Sequence, residues 1–392
     1  MARPVHELAT IIEQYKTSFT AKHQPLKQHL SVLNALQKCR TAALGGHVDG
    51  CDSCGHVRIS YNSCRNRHCP KCQQVNKERW ILARAQQLLP VSYFHAVFTL
   101  PQELNAWCLH HPKQMYDLLF AASHQTIAAF AGDEKHLGAL PGMISVLHTW
   151  GQNLSLHPHV HLIIPGGGIA ASGCWKKARS NGRYLFPVKA MSTVFKHKYM
   201  KGFLQLLKTE SKTIEASIRE TLYNKAWIVY AKQPFGGPQQ VIEYLGRYTH
   251  KVAISNHRLL SINDDEVSFI YKDYADNSKQ KTMTLEATEF LRRFCLHILP
   301  RGFRKIRYYG FLSNAHSAML QMQQAQMGVA ALQPKEVKKL SWQTIAKDKL
   351  HYDAEQCPCC KKGRMVTLLY FNTNAPPDME LMKALIKSKT AL

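Results

Sequence analysis

The segment SLHPHVHLIIPGGG at residues 155–168 alternates polar and apolar residues and then stops at three glycines. Residues two apart on a β-strand point to the same face of the sheet, so His159 and His161 share one face while Val160 turns to the core. The strand is predicted to begin just after the proline that precedes His159, which leaves His157 outside the site. Because two imidazoles on one rigid strand suit a divalent metal ion, the segment predicts part of a metal centre.

A metal ion bound by two histidines needs a further ligand, and the sequence offers several. Gln152 lies at the turn that follows the preceding predicted strand, and it is the ligand that we expect. His148 and His157 are the alternatives. A neutral set of two imidazoles and one amide leaves coordination positions open for phosphate oxygens, which Lewis-acid catalysis requires. A histidine pair on a strand is more often an ordinary surface or core pair, so the assignment depends on a second motif.

The second motif is GGPQQVIEYLGRYTHKVAISNHRL at residues 236–259, where a proline at the first turn predicts a helix. Tyr244 and Tyr248 are four residues apart and share one helix face, with Cβ atoms about 5–6 Å apart. Such a pair usually belongs to a core. Here the flanking cations include Arg247 and Lys251, which we expect to bind nucleic-acid phosphates and to favour the phenolate form.

Two phenols beside cations indicate covalent catalysis. A phenolate is a competent nucleophile. Its attack on a phosphodiester would keep the bond energy in a phosphotyrosine, so that strands can be rejoined without ATP. Two neighbouring tyrosines would allow two such links in turn. Tyr244 and Tyr248 are therefore the candidate catalytic residues.

A cysteine-rich island near the N-terminus contains two Cys-x-x-Cys pairs with fourteen residues between them. Each pair can direct two thiolates at one tetrahedral metal ion, so the island predicts a structural Zn²⁺ site of the zinc-ribbon kind. The expected ligands are Cys51, Cys54, Cys69 and Cys72. Cys64 and His68 lie close enough to replace the fourth ligand. Arg65 and Arg67 lie between the pairs and are predicted to bind DNA.

A further cysteine motif, CPCC at residues 357–360, lies near the C-terminus. It forms one knuckle without an obvious partner pair nearby in the sequence. Either a second half-site is completed from elsewhere in the fold, or Cys357, Cys359 and Cys360 form a thiol cluster without metal. The sequence leaves both interpretations open.

Charge and composition favour a cytoplasmic protein that binds nucleic acid. The 392 residues carry a net charge of +25, the usual footprint of a polyanion partner, although ribosome or membrane-surface binding gives a similar value. The twelve cysteines are largely clustered, and we find no secretory signal. Both observations favour metal ligation in a reducing bacterial cytoplasm, with association with the nucleoid when DNA is bound. No apolar run of about 18 residues predicts a membrane span.

Strand patterns mix with helices without strict βαβ repetition, which favours an α+β fold with an antiparallel sheet flanked by helices. Residues 195–223 are predicted to form one long basic helix, and the stretch KVAISN at 251–256 is predicted to be a strand. The other predicted strands include SYFHAVFTLP (92–101), MISVLHTW (143–150), HVHLIIP (159–165) and WIVYAK (227–232).

Together these motifs resemble the rolling-circle insertion-sequence transposases of the two-tyrosine HUH class, the insertion-sequence ninety-one family, with Helitron transposases and rolling-circle initiators as relatives. The resemblance runs along nearly the whole chain and includes the cysteine island, FTLP at 98–101 and the histidine and tyrosine motifs. It implies a five-stranded antiparallel sheet that carries His159 and His161, with the nucleophiles Tyr244 and Tyr248 on an adjacent helix.

The resemblance also implies an activity: a metal-dependent enzyme that nicks and transfers single-stranded DNA at transposon ends and targets through 5′-phosphotyrosine links. The catalytic ion is expected to be Mg²⁺ or Mn²⁺, and host replication factors are expected partners. The predicted parts are a helical and four-cysteine zinc-binding region (1–85), the HUH catalytic domain (86–330) and a basic tail (331–392). The alternatives are a zinc-dependent DNA-binding regulator without catalysis and a phosphodiesterase that uses water.

Overall fold

A computed structural model describes residues 4–179, 185–232, 238–274, 276–329 and 340–378. The fold is a mixed α+β arrangement of antiparallel sheets with flanking helices, as the sequence predicts. The chain divides into two compact units. Unit 1 comprises Met1–Trp80, His250–Ile298 and Lys335–Leu392, and unit 2 comprises Ile81–Thr249 and Leu299–Pro334.

The described strands are β1 (Gly46–Cys51), β2 (Val57–Tyr61), β3 (Tyr93–Thr99), β4 (Leu140–Trp150), β5 (Leu156–Pro165), β6 (Gly167–Ile169), β7 (Trp175–Lys177), β8 (Val229–Lys232), β9 (Leu259–Asn263), β10 (Glu266–Asp273), β11 (Lys279–Glu286), β12 (Ile306–Gly310) and β13 (Met365–Phe371). The described α-helices are α1 (Leu8–His23), α2 (Lys27–Gln37), α3 (Gln73–Ala85), α4 (Asn105–His110), α5 (Pro112–Gly132), α6 (Val188–Thr209), α7 (Ala216–Asn224), α8 (Pro238–Thr249), α9 (Ala287–Cys295), α10 (Ser317–Gln326) and α11 (Trp342–Leu350).

Unit 2 is built on an antiparallel sheet with the strand order β7-β6-β4-β5-β3-β8, in which β12 also pairs with β4. The strand that carries the predicted histidine pair, β5, lies between β4 and β3. The sheet therefore has seven described strands where the family resemblance implies five. The interior position of β5 matters because a strand paired on both sides holds its side chains in a fixed register.

Alternation along β3 and β5 gives the sheet two different faces. Phe98 on β3 and Val160 on β5 are buried in a core that also contains Phe195 of α6. Helices α5 and α6 pack against each other over this apolar face. The intervening residues of β3 and β5 point to the opposite face and include His95 and His161. One face of the sheet is thus covered by the core, and the other presents imidazoles.

Unit 1 joins distant parts of the chain through strand pairing and helix packing. Its first sheet has the order β13-β1-β2, so a strand from near the C-terminus pairs antiparallel with the first strand. Its second sheet has the order β11-β10-β9. Helix α9 packs against α1. The structure thus assigns 250–298 to unit 1 rather than to the predicted catalytic domain, and the described part of 331–392 is not a separate tail, because β13 completes the first sheet.

Three predictions of secondary structure are wrong. Strand β5 begins at Leu156 and therefore includes His157, which was predicted to lie before the strand. Residues 195–223 form two helices, because α6 ends at Thr209 and Ser211 takes a left-handed conformation with φ of 52°. The stretch KVAISN does not form a strand. The Asn256 side chain at its end instead accepts a hydrogen bond of 3.2 Å from the amide of Leu8, at the start of α1. The prediction used only the local alternation of residues, whereas the observed conformation of this stretch includes the long-range contact of Asn256 with Leu8.

A search of the described helices finds none with the length and apolar character needed to cross a bilayer.

Candidate active site and metal centres

Two neighbouring strands of unit 2 place three histidines together. His148 on β4 lies directly opposite His159 on β5 in the antiparallel register. One ligand nitrogen from each of His148, His159 and His161 lies within 4.8 Å of the others. We call these three residues the histidine set. His148 and His161 are buried, whereas His159 is half-buried.

Hydrogen bonds orient each ring of the histidine set. Nδ1 of His159 lies 2.6 Å from the carbonyl oxygen of His157, and Nε2 of His148 lies 2.7 Å from the carbonyl oxygen of Tyr248. A carbonyl only accepts, so in the neutral rings these nitrogens carry the protons. The lone pairs then belong to Nε2 of His159 and Nδ1 of His148. Metal-binding histidines in proteins are usually oriented in this way, because the ring nitrogen that does not bind the metal donates a hydrogen bond to a carbonyl or carboxylate.

His161 has an imidazole neighbour instead of a carbonyl. Its Nδ1 lies 2.9 Å from Nε2 of His95 on β3, and the two rings are stacked with centroids 5.2 Å apart. With the proton on Nδ1 of His161, its Nε2 carries the lone pair that a metal ion needs. His95 is also buried. His95 was not among the predicted site residues, although the alternation along SYFHAVFTLP places it on the same face as Val97 and Thr99, opposite to the apolar core.

The two candidate nucleophiles lie next to this face. Tyr244 and Tyr248 lie on α8, as predicted, and their hydroxyl oxygens are 2.9 Å apart, with Tyr248 donating to Tyr244. The Tyr248 ring lies 4.5 Å from the His161 ring, centroid to centroid, and the Tyr244 ring lies 5.3 Å from the His95 ring. Both tyrosines are half-buried. One helix therefore brings two phenols to the histidine set.

The predicted third ligand, Gln152, lies in the turn between β4 and β5. In that turn the amide of Gly151 donates to the carbonyl of Ser155 at 2.9 Å, and Leu154 has a φ of 62°. Because β4 ends at Trp150, Gln152 is beyond the ladder that places His148 opposite the histidine pair. The structure thus brings the alternative ligand His148 into the set, and the role of Gln152 as a ligand stays a prediction.

The predicted grouping of cysteines is wrong, because the structure separates the two Cys-x-x-Cys pairs. The first cysteine set comprises Cys39, Cys64, Cys69 and Cys72, and the second cysteine set comprises Cys51, Cys54, Cys357 and Cys360. Cys51 and Cys54 lie at the turn of the β1–β2 hairpin. The chain reaches Cys64 only after β2, whose five residues span about 16 Å at the usual rise per residue. Each pair therefore finds its partners elsewhere.

The first cysteine set has the geometry of a tetrahedral zinc site. The sulfur of Cys72 lies 3.4 Å from that of Cys39 and 3.6 Å from that of Cys64, and the sulfurs of Cys39 and Cys69 are 3.6 Å apart. Zinc–sulfur bonds of about 2.3 Å in a tetrahedron place sulfurs about 3.8 Å apart. A disulfide would need about 2.05 Å. Cys39 was not among the predicted ligands, because it follows α2 with no second cysteine close to it in the sequence. One feature of the sequence pointed to a further ligand. The cysteine island contains a fifth cysteine, Cys64, in addition to the four predicted ligands.

The predicted DNA-binding cations occupy different places. Arg65 and Arg67 lie in the loop of the first cysteine set, where Arg65 is exposed with a φ of 52° and burial lowers the pKa of Arg67. Lys251 belongs to unit 1, where burial and the cations Arg258 and Lys272 lower its pKa. Arg247 lies on α8, but its side chain is outside the described part of the structure. Their DNA contacts stay predictions.

Comparison with known proteins identifies the family. Residues 142–319 match a family described as "Putative transposase", and residues 11–100 match a family described as "Transposase zinc-binding domain". The chain is 41% identical over 393 residues to "Putative transposase y4qJ" of Sinorhizobium fredii (strain NBRC 101917 / NGR234), with 96% of this chain and 98% of that protein covered. The chain belongs to the IS91 family of transposases.

A second relative of this IS91-family transposase is "Transposase for insertion sequence element IS801" of Pseudomonas savastanoi pv. phaseolicola. It is 29% identical over 345 residues, which cover 84% of this chain and 80% of the relative. No solved structure matches this transposase.

The two family matches divide the candidate sites. The histidine set, Tyr244 and Tyr248 all lie within the transposase match at 142–319. The first cysteine set lies wholly within the zinc-binding match at 11–100. This transposase therefore has a zinc-binding domain, and the first cysteine set lies within it as four cysteines that could hold a metal ion. Cys357 and Cys360 lie outside both matched regions.

Proposed function

We propose that this transposase nicks and transfers single-stranded DNA at the ends of its element, through links between a 5′-phosphate and Tyr244 or Tyr248, in rolling-circle-type transposition. One observation carries the proposal. Two phenol oxygens 2.9 Å apart lie beside a set of three convergent imidazoles. A nucleophile next to a metal-binding set is the arrangement that covalent phosphoryl transfer needs.

The histidine set fits a divalent cation. Three neutral imidazoles would hold the ion, and the carbonyls of His157 and Tyr248 fix the orientation of two of them. When bound, such an ion polarises the scissile phosphate and stabilises charge on the leaving oxygen. Mg²⁺ prefers oxygen ligands, whereas imidazole nitrogen is a better donor to transition metals. The donor set therefore favours Mn²⁺ over Mg²⁺.

The protein residues carry out the exchange of bonds. A phenol oxygen of α8 forms a bond to phosphorus, and the bond from phosphorus to the 3′ oxygen of the preceding nucleotide breaks. The phenol gives up its proton, and the leaving oxygen takes one up and becomes a 3′-hydroxyl. Attack by a 3′-hydroxyl on the phosphotyrosine reverses these changes and joins strands. Because the two phenols are hydrogen-bonded to each other, one can hold a strand while the other cuts the next.

Cationic residues supply the affinity for DNA in this proposal. The net charge of +25 favours binding to a phosphate backbone, with an affinity that falls as the salt concentration rises. Arg65, Arg67, Arg247 and Lys251 are the proposed phosphate contacts. Host replication factors are proposed partners, since a displaced single strand needs to be copied.

The proposal is tested with purified protein, Mn²⁺ and labelled single-stranded DNA that carries the ends of the element. We expect a labelled species that survives denaturing electrophoresis at the mass of protein plus DNA, together with a product that ends in a 3′-hydroxyl. Cleavage without this adduct would favour the phosphodiesterase that uses water. Binding without cleavage would favour the regulator.

Replacing His95 tests the support of the metal centre. His95 is not a member of the histidine set, but it contacts the His161 ring. His95→Ala is therefore expected to weaken Mn²⁺ binding and nicking by about 10–100-fold. Nicking should recover at saturating Mn²⁺, since the ligands remain. His95→Gln, which keeps a hydrogen-bonding side chain, should lose less. The measurement is a Mn²⁺ titration of binding and of nicking. Unchanged Mn²⁺ affinity in His95→Ala would contradict this role.

A further inference from the structure

We propose that the second cysteine set is a second structural zinc site, which binds the C-terminal segment of unit 1 to its N-terminal hairpin. The sulfurs of Cys51 and Cys360 are 3.7 Å apart, and those of Cys54 and Cys357 are also 3.7 Å apart. These separations agree with about 3.8 Å for tetrahedral zinc thiolates. They are far too long for disulfides, which need about 2.05 Å. Two of the ligands lie outside the region that matches the zinc-binding family.

The two halves of this site have the same local geometry. In the first half the amide of Gly55 donates to the carbonyl of Cys51 at 3.2 Å, and in the second the amide of Lys361 donates to the carbonyl of Cys357 at 3.0 Å. The residue after each pair is left-handed, with φ of 68° for Gly55 and 56° for Lys361. Each turn directs both of its sulfurs inward, as in the Cys-x-x-Cys knuckles of zinc sites.

Backbone amides point at the sulfurs of this site. The amides of Ser53 and Cys54 each lie 3.4 Å from the sulfur of Cys51, and the amide of Gly363 lies 3.3 Å from that of Cys360. Such donors stabilise thiolates, which are the metal-binding form of cysteine. Gly363 also lets the two halves approach closely, because a Cβ there would lie 2.5 Å from the sulfur of Cys51.

A cluster of four thiols without metal explains these features less well. Cys51 and Cys357 are buried, and thiols are weak hydrogen-bond donors, so four convergent thiols contribute little to folding. Structural zinc contributes folding free energy directly. Cys359, in the same knuckle, is exposed and outside the set. The knuckle therefore separates two convergent cysteines from one that points away.

The site closes a long stretch of chain. Cys51 and Cys360 are 309 residues apart in the sequence, and Cys54 and Cys357 are 303 apart. The last residue of β1, Cys51, pairs with the first of β13, Met365. An ion here would fix one end of the β1–β13 ladder. We therefore expect it to hold the C-terminal strand in the sheet of the zinc-binding domain.

The test is the zinc content of the full chain, measured by elemental analysis in a His159→Ala/His161→Ala background that removes ligands of the histidine set. Two four-thiolate sites predict about two zinc ions per chain. Cys357→Ser/Cys360→Ser is expected to lower this to about one, whereas the matched control Cys359→Ser keeps about two. One zinc ion before any cysteine is changed, or no loss in the double serine variant, would overturn the proposal.

A second measurement does not depend on the folding of the serine variant. Titration of Co²⁺ into the zinc-depleted background protein should develop thiolate-to-metal absorption that saturates at about two equivalents, because each four-thiolate set binds one ion. Saturation at one equivalent would overturn the proposal. Neither readout involves DNA, so the outcome is independent of the proposed covalent mechanism.

Discussion

A variant with both Tyr244→Phe and Tyr248→Phe is expected to form no covalent adduct with single-stranded DNA while it still binds the DNA. Removal of a catalytic nucleophile costs on the order of 10⁶-fold in a well-studied hydrolase, and we expect a loss of at least about 10³-fold here. Phenylalanine keeps the ring contacts with His161 and His95 and removes only the hydroxyls. The loss should therefore be chemical, with the melting temperature nearly unchanged.

The single variants separate the roles of the two phenols. The two phenol oxygens are 2.9 Å apart, so the tyrosine that remains in each single variant still lies beside the histidine set. Each single variant should therefore keep some adduct on an isolated oligonucleotide. Complete transposition should fall sharply in both, because two strands need two links. The matched control is Tyr223→Phe, since Tyr223 is an exposed tyrosine on α7 of the same unit. An adduct that persists in the double variant, with the modified peptide mapped elsewhere, would refute the mechanism.

Loss of a ring from the histidine set is the second large expected effect. His161→Ala, or His159→Ala, should reduce nicking by at least about 10²-fold, because the proposed ion would supply several kcal/mol of charge stabilisation. Zinc content at the cysteines and binding of DNA should be retained, since those residues lie elsewhere. Nicking and Mn²⁺ affinity are the two measurements. Nicking at the level of the unchanged protein in either variant would rule out the assignment.

The same experiment identifies the third ligand. The β4–β5 register places His148 opposite His159, so His148→Ala should lose about as much nicking as His159→Ala. Gln152→Ala should lose less, because Gln152 lies in the turn beyond β4. A greater loss of nicking for Gln152→Ala than for His148→Ala would instead support Gln152 as the third ligand.

Local periodicity predicted the parts of the site that lie within one element. The alternation around His159 and the four-residue spacing of Tyr244 and Tyr248 are properties of a single strand and a single helix. β3, β4 and α8 were predicted near their observed bounds, and β5 near its observed end. His148 and His95 depend on which strands are neighbours and in which register, and period-two alternation does not determine either.

The metal-binding cysteines show the same limit. Spacing rules group cysteines that are close in sequence, so they assigned Cys54 and Cys69 to one site. In the fold, β2 lies between these two cysteines and separates them. Cys39 and Cys357 each belong to a set through tertiary contacts, over 33 residues to Cys72 and 303 residues to Cys54. The motifs predicted metal binding, and only the fold shows which cysteines lie together.

The division of unit 1 into three stretches of sequence has a consequence for synthesis on the ribosome. Unit 2 is complete once residue 334 has emerged, but unit 1 needs β13, which ends at Phe371. At about 5–20 residues per second, synthesis from the end of β1 to the end of β13 takes some tens of seconds, and β1 is unpaired on that edge for this time. A frameshift or stop codon between residues 340 and 365 would thus spare the reading frame of unit 2 and still remove β13 from unit 1. Damage confined to the coding sequence of β13 would therefore impair the unit that contains β1.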